Sequence, residues 1–167
     1  MMEAPTWERL VREATVRRIK LSTAESCTGG RISSLITDVP GASKCFLGGF
    51  VVYSNDLKER ILRVSHKTLS DHGAVSKVTA EEMVRGCIGS TGADISLAVT
   101  GIAGPTGGTL EKPVGTVHIS VLVRGGEPHS EGFLIDCRDR IDFKEKVAEK
   151  ALGMLLGAVL GRRPEKS

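Results

Sequence analysis

Strand-like and helix-like segments alternate along this chain, and the alternation ends in a hairpin before one last helix. Apolar and β-branched runs predict strands at residues 19–23, 46–54, 94–100, 114–124 and 128–137. Helical spacings predict helices at residues 6–18, 30–38, 56–63, 66–72, 79–90 and 139–160. Alternating strands and helices build a sheet covered on both faces, and a hairpin adds antiparallel strands. The sequence therefore predicts the α/β class, as a three-layer α/β/α domain with a mixed β-sheet.

Local signals indicate where these helices begin and end. Asn55 or Asp56 is expected to cap the third helix, because residues 56–59 read Asp-x-x-Glu, the pattern of a capping box. Residues 79–82 read Thr-x-x-Glu and predict a second capping box. Gly161 is expected to follow the last helix as its C-cap.

Glycines mark two further features of the predicted sheet. Gly48-Gly49 lies inside a strand pattern, which indicates a bulge or the close approach of another backbone. Gly125-Gly126-Glu127 separates the last two strands and predicts the hairpin turn.

Length and charge restrict the class of protein. With 167 residues the chain predicts one domain over 1–167, with residues 162–167 as a flexible polar tail. The net charge of +3 suits an anionic small molecule and is too weak and scattered for nucleic acid. No apolar run has the length of a signal peptide core or a membrane span, so we expect a cytoplasmic protein without membrane contact.

The four cysteines are expected to be reduced. They form no CxxC pair and no Cys/His cluster with zinc spacing, which predicts neither a disulfide scaffold nor a metal site. We interpret Cys45, Cys87 and Cys137 as small buried hydrophobes.

Residues 23–30 read Thr-Ala-Glu-Ser-Cys-Thr-Gly-Gly and join a strand to a helix. Such a turn presents free N–H groups and the positive end of a helix dipole, so Thr28, Gly29 and Gly30 are candidate contacts for a phosphate or an oxyanion. Ser26 is a candidate nucleophile, and the alternative is a plain helix cap. Cys27 is a rival nucleophile, because a thiol at a helix start is expected to have a lowered pKa.

Residues 53–58 end one strand and begin a helix at the same kind of sheet edge. Lys58 would lie in the first helical turn, where the dipole disfavours its charge and lowers its pKa. A neutral amine can accept a proton from the Ser26 hydroxyl, whereas the alternative is a solvated surface lysine. Tyr53 is a candidate hydrogen-bond donor or stacking surface.

Two further segments are candidate substrate contacts. Residues 100–108 hold four glycines but match neither the P-loop nor the dinucleotide fingerprint, and a flexible surface loop is the alternative. This loop and its continuation contribute the candidates Thr100, Gly101, Gly104 and Lys112. The last helix begins after the candidate N-cap Asp139, and its first turns contribute Arg140 and Lys144.

Taken together, these motifs resemble the CinA C-terminal domain family. The resemblance is carried by TAESCTGG, residues 48–58, HGAVS at 72–76, TGIAGP at 100–105 and KPVGTV at 112–117. It covers residues 6–156, with the motifs in the family's order. Family members often have glycine where Arg138 stands and arginine where Lys144 stands.

The resemblance implies a nicotinamide mononucleotide deamidase of the PncC type, which releases ammonia by a serine–lysine mechanism without metal or cofactor. On this chain it implies Ser26 as nucleophile, Lys58 as base and Tyr53 nearby. Family members also occur fused to a molybdopterin-binding-like domain, and the expectation here is a stand-alone form. We expect a small-molecule nucleotide as substrate and a homo-oligomer. A non-catalytic nucleotide-binding or protein-interaction module is the alternative.

Overall fold

The computed structural model describes residues 5–161, in which helices and strands alternate up to a hairpin and a long final helix. The helices are α1 (Thr6–Val16), α2 (Arg31–Thr37), α3 (Asn55–Leu62), α4 (His66–His72), α5 (Lys77–Thr91) and α6 (Arg140–Gly161). The strands are β1 (Leu21–Glu25), β2 (Phe46–Val51), β3 (Ile95–Gly101), β4 (Thr116–Val123) and β5 (His129–Leu134). The expected tail, residues 162–167, lies outside the described residues.

The five strands form one mixed sheet in the order β2-β1-β3-β4-β5. β1 pairs in parallel with β2 and β3, while β4 and β5 add the antiparallel hairpin. Apolar side chains of α1, α2 and α6 pack on one face of the sheet, and those of α3, α4 and α5 pack on the other. The predicted three-layer α/β/α fold with a mixed sheet is confirmed. β1 leads into α2 on one face of the sheet and β2 leads into α3 on the other, so a ligand site is expected at the carboxyl ends of these neighbouring parallel strands.

The predicted helix caps at Asp56 and Thr79 are wrong. The Ser54 side chain accepts the Leu57 N–H at 3.2 Å and caps α3, and the Ser76 side chain accepts the Thr79 N–H at 3.1 Å and caps α5. Both serines have extended backbones, which aim the hydroxyl at the third N–H of the helix. The Asp139 cap is confirmed, because its carboxylate accepts the N–H groups of two residues in the first turn of α6.

Several predicted element ends also shift. β1 begins at Leu21 and not at residue 19, because the Ile19 N–H still bonds to the Ala14 carbonyl of α1. β5 ends at Leu134, three residues before the predicted end. Gly161 is the last residue of α6 and does not follow that helix.

Gly49 of β2 lies close to side chains of β1 and α2. A Cβ at this position would overlap the hydroxyl groups of Thr23 and Ser33, which hydrogen-bond to each other at 2.8 Å. The β1–β2 register shifts between Leu21 and Ser22. The bulge predicted for this segment is confirmed, whereas the close neighbours of Gly49 are side chains and not the backbone that the sequence suggested.

None of the helices in residues 5–161 has the length and apolarity to cross a lipid bilayer. All four cysteines are free thiols; Cys45 and Cys87 are buried and Cys137 is partly buried. The homo-oligomer expected from the sequence stays a prediction.

Candidate active site

A cavity of about 150 Å³ opens at the carboxyl ends of β1 and β3. The segment after β1, the β2–α3 connection, the end of β3 and the start of α6 all contribute to its wall. Its lining residues are Ser26, Cys27, Tyr53, Lys58, Ala74, Val75, Thr100, Gly101, Ala103 and Arg140. With Ala74 and Val75 of the α4–α5 connection, the structure brings together residues from five separate parts of the sequence. Ala74, Val75 and Ala103 were not among the sequence candidates, since small apolar residues carry no chemical signal.

The Ser26 hydroxyl and the Lys58 amine are in contact inside this cavity. Lys58 Nζ donates to Ser26 Oγ at 3.0 Å, and also to the carbonyl oxygens of Val52 at 3.1 Å and Tyr53 at 3.4 Å. Ser26 is 7% exposed and Lys58 is 1% exposed. If the amine is neutral, it can keep both carbonyl contacts and accept the Ser26 proton with its lone pair. The arrangement is therefore suited to proton transfer between the hydroxyl and the amine.

Burial lowers the pKa of Lys58 below its ordinary value, with the nearby Cys27 thiol acting weakly in the other direction. The sequence predicted this direction but assigned it to the dipole of α3. Lys58 does lie in the first turn of α3, where its N–H bonds to the Ser54 carbonyl at 3.1 Å. The main cause is instead the loss of water around the amine, which only the packing of the surrounding loops produces.

The Cys27 thiol has the opposite character from the one expected. Burial raises its pKa to about 12, and the Glu25 carboxylate adds to this effect. The prediction of a lowered thiol pKa at the start of α2 is therefore wrong. Because the thiolate is the reactive form, this environment disfavours Cys27 as a nucleophile.

Glu25 occupies the donors that the sequence left free for a ligand. Its carboxylate accepts the Thr28 hydroxyl at 2.7 Å and the N–H groups of Gly30 at 3.1 Å and Ile32 at 3.0 Å. The Gly29 N–H bonds to the Ser26 carbonyl at 3.1 Å. The expectation that Thr28, Gly29 and Gly30 offer free donors to a phosphate is therefore corrected, because the chain itself uses them. In the sequence, Glu25 stands directly before a turn rich in N–H and hydroxyl donors, and this position was the available signal for these hydrogen bonds.

The backbone N–H groups of Cys27 and Thr28 are not among the donors that the Glu25 carboxylate accepts. Both lie against the Cys27 sulfur, where they favour its charged form.

Arg140 and Tyr53 form one wall of the cavity. An Arg140 guanidinium N–H donates to the Tyr53 hydroxyl oxygen at 3.1 Å, and another donates to the Gly104 carbonyl. These bonds link the β2–α3 connection, the loop after β3 and the first residue of α6. Arg140 also borders a second groove of about 250 Å³, whose walls include Ala103 and Arg138. The two spaces therefore meet at Arg140.

Of the other sequence candidates, Thr100 and Gly101 line the cavity, whereas Lys112 and Lys144 do not. The Thr100 hydroxyl lines the cavity and donates to the Ala74 carbonyl at 2.7 Å. Gly101 also lines it and packs tightly against β4. Lys112 Nζ donates to the His72 carbonyl at 2.6 Å, and Lys144 Nζ lies beside Gly29. Neither lysine is among the lining residues.

No group of three or more His, Cys, Asp or Glu side chains within the described residues is arranged to hold a metal ion. The charged groups that line the cavity are Lys58 and Arg140, both cationic residues. This lining is suited to a ligand that carries carbonyl or anionic oxygen.

Comparisons with known proteins give consistent matches. The model of the CinA C-terminal domain matches residues 3–159. A CinA-like protein from Chlorobaculum tepidum is 57% identical over 143 residues, which cover 84% of this chain and 34% of that protein. The chain spans about a third of the length of the curated relatives it matches.

Solved structures are similar over nearly the whole chain. The competence/damage inducible protein CihA from Agrobacterium tumefaciens has a TM-score of 0.87 and 37% identity, covering 96% of this chain and 99% of that one. A competence or damage-inducible protein from Enterobacter asburiae has a TM-score of 0.88 and 34% identity, covering 94% and 99%.

Proposed function

Because the chain belongs to the CinA C-terminal domain family, we propose that it hydrolyses the carboxamide of nicotinamide mononucleotide to nicotinic acid mononucleotide and ammonia. The observation that carries this proposal is the buried contact of 3.0 Å between Lys58 Nζ and Ser26 Oγ. The choice of substrate rests on the motifs that resemble those of nicotinamide mononucleotide deamidases. The proposed nucleophile Ser26 and the proposed base Lys58 line the same cavity, together with Tyr53 and Arg140.

In the proposed reaction Ser26 Oγ attacks the carboxamide carbon while its proton passes to Lys58 Nζ. The tetrahedral intermediate collapses as Lys58 returns that proton to the leaving nitrogen, and ammonia departs. An ester between Ser26 and the nicotinoyl group remains. Water then attacks the ester and gives its proton to Lys58. Lys58 passes that proton to Ser26 Oγ as the acid leaves, which regenerates the Ser26 hydroxyl.

The cavity geometry supports this division of roles. The N–H groups of Cys27 and Thr28 would stabilise the oxyanion, since both lie on the turn that carries Ser26. The carboxamide and its ring would fill the cavity at Ser26. The ribose phosphate would extend past Arg140, with Lys144, Thr100, Gly101, Gly104 and Lys112 as further proposed contacts.

An ammonia-release assay tests the proposal. We expect the purified protein to release one ammonia per nicotinic acid mononucleotide formed, as followed by a coupled ammonia assay and chromatography. Nicotinamide riboside is expected to react with a higher KM, because it lacks the phosphate that would bind to Arg140. Calorimetric binding of the nucleotide without any turnover would instead indicate a non-catalytic binding module.

The rate is expected to rise with pH on its acidic side. Only neutral Lys58 can accept the Ser26 proton, and burial lowers the pKa at which the amine becomes neutral. Single-turnover rates should therefore increase through a midpoint below 10.5, the ordinary lysine value. A midpoint at the ordinary value would contradict a buried lysine base. Repeating the titration in deuterium oxide would show whether the proton transfer limits the same step.

Replacing Cys27 by serine is expected to leave most of the turnover. The thiol is protonated at neutral pH, because burial raises its pKa to about 12, so it has no nucleophilic role in the proposed reaction. The change keeps the backbone N–H groups and nearly the same volume. A loss of kcat as large as that of a Ser26 variant would show that the sulfur performs the attack. Alkylation by iodoacetamide should likewise leave the rate unchanged.

A further inference from the structure

Glu25 is a fully buried carboxylate next to Ser26 in the chain, and no step of the proposed reaction uses it. The residue is 0% exposed. Oε2 accepts the bonds from Thr28, Gly30 and Ile32, and Oε1 accepts the Ser33 N–H at 2.8 Å and the Ser33 hydroxyl at 2.7 Å. Both oxygens are therefore saturated by donors from the turn and the first turn of α2.

The backbone of Glu25 is fixed just as firmly. It is the last residue of β1 and pairs with Val51 of β2 and Val99 of β3. Its carbonyl oxygen also accepts the Val52 N–H at 2.8 Å. Glu25 thus belongs to the rigid sheet through its main chain and to α2 through its side chain. Ser26 lies between these two attachments.

We propose that Glu25 is a positioning residue, whose carboxylate ties α2 to the end of β1 and thereby holds the Ser26 hydroxyl at Lys58 Nζ. This inference rests on the proposed role of Ser26 as the nucleophile. A displacement of about 1 Å in a reacting group can cost roughly 100-fold in rate, so a small relaxation of the turn is sufficient to matter.

The same carboxylate determines which anions the turn can bind. The start of a helix normally attracts anions, and here the side chain of Glu25 already fills that position. A substrate phosphate at this turn would meet a buried negative charge. In the proposed function, the phosphate would therefore bind at Arg140 and not at the N–H groups of this turn.

The test uses the reactivity of Ser26 and does not require the natural substrate. A fluorophosphonate phosphonylates an activated serine: the O–P bond forms as fluoride leaves, and the serine proton passes to a base. We would measure the labelling rate of Ser26 by mass spectrometry in the wild-type protein, Glu25→Asp and Glu25→Gln. The aspartate keeps the charge but withdraws the carboxylate by one methylene group. We expect labelling roughly 10- to 100-fold slower in Glu25→Asp.

Glu82→Gln is a matched control. The Glu82 carboxylate also holds a helix start, because it accepts the Ser65 N–H at 2.6 Å and the Thr68 hydroxyl at the beginning of α4. This site does not include Ser26. We expect Glu82→Gln to lose thermal stability without slowing the labelling of Ser26. Should Glu25→Gln fail to fold, Glu25→Asp decides the question alone.

The pH dependence of labelling separates positioning from a general opening of the site. The charged and titratable groups that line the cavity with Lys58 are Cys27, Tyr53 and Arg140, and none is changed in Glu25→Asp. Slower labelling with an unchanged pH midpoint supports positioning. A midpoint shifted up to that of a solvated lysine would mean that Glu25 only excludes water, and it would overturn the inference.

Two other results would also overturn it. One is labelling of Glu25→Asp at the wild-type rate, and the other is a wild-type protein whose Ser26 is not labelled at all. Failure of the proposed substrate is a separate outcome. A protein that labels at Ser26 but releases no ammonia from nicotinamide mononucleotide would refute that substrate and leave the role of Glu25 supported.

Discussion

Replacing Ser26 by alanine is expected to reduce ammonia release by roughly 10³-fold or more, as removal of a covalent nucleophile does in other hydrolases. Ser26 Oγ is the hydroxyl that Lys58 Nζ contacts, at 3.0 Å, and no other serine lines the cavity. The substitution removes one buried hydroxyl and leaves the Cys27 and Thr28 N–H groups in place. We therefore expect kcat to fall while the affinity for the nucleotide, measured by calorimetry, changes little.

Ser34→Ala is a suitable control for this experiment. Ser34 lies on α2, close in sequence to Ser26, but its side chain is exposed and does not line the cavity. Its replacement should preserve turnover. Mass spectrometry of wild-type protein quenched during turnover should detect the nicotinoyl ester on Ser26. Ser26→Ala with wild-type turnover would refute the serine mechanism outright.

Lys58→Met is expected to abolish turnover to a similar extent. Methionine fills the same volume but cannot accept the Ser26 proton or return one to the leaving nitrogen. Because only a protonated leaving group departs readily as ammonia, both halves of the reaction lose their acid or base. The control is Lys67→Met, since Lys67 lies on the surface of α4 with 82% of its side chain exposed. Retention of activity in Lys58→Met would exclude the lysine as the base.

The same variant should change how stability depends on pH. Burial lowers the folded pKa of Lys58 below its ordinary value of 10.5, so between these two values the unfolded chain binds the extra proton. The free energy of unfolding of the wild-type protein therefore rises with pH in that window. Lys58→Met should lack this rise. Urea unfolding at a series of pH values measures the difference between the two proteins.

The comparison must be made between the two proteins, because other groups act in the opposite direction. Burial raises the pKa values of Cys27, Cys45 and Cys87 above the ordinary 9.0. Above that pH the unfolded chain loses thiol protons that the folded chain keeps, so stability falls. The losses at Cys45 and Cys87 occur in wild type and Lys58→Met alike and cancel in the difference. Because Lys58 lowers the pKa of Cys27, both proteins should carry Cys27→Ser in this comparison. A difference that does not change with pH would contradict a lowered lysine pKa.

The sequence predicted the fold well because the fold is determined by patterns that are local in the chain. Each strand and helix has its own periodicity, and the Gly-Gly turn before β5 predicts a hairpin without reference to the rest of the molecule. The errors fall at element ends. Ser54 and Ser76 cap α3 and α5, whereas the sequence predicted Asp56 and Thr79 as the caps. The cap is the residue with an extended backbone just before the helix, and the sequence pattern does not show which residue has it.

The chemistry of the site was predicted less completely. The sequence pointed to Ser26 and Lys58, but it assigned the lysine pKa to a helix dipole and gave Cys27 an activated thiol. Burial decides both, lowering the pKa of the amine and raising that of the thiol. The hydrogen bonds of Glu25 were also missed, although its position directly before a donor-rich turn was a signal for them.

The sequence by itself determined the alternation of elements, the strand-to-helix turn at Ser26 and the family. The tertiary structure alone decided which distant groups meet. Lys58 reaches a serine 32 positions earlier in the chain, and Arg140 reaches the Tyr53 hydroxyl across 87 positions. Local patterns are set by each residue's own backbone and its near neighbours. Desolvation and hydrogen-bond partners arise only when the layers pack and water leaves, so the properties of Ser26, Cys27 and Lys58 belong to the folded molecule.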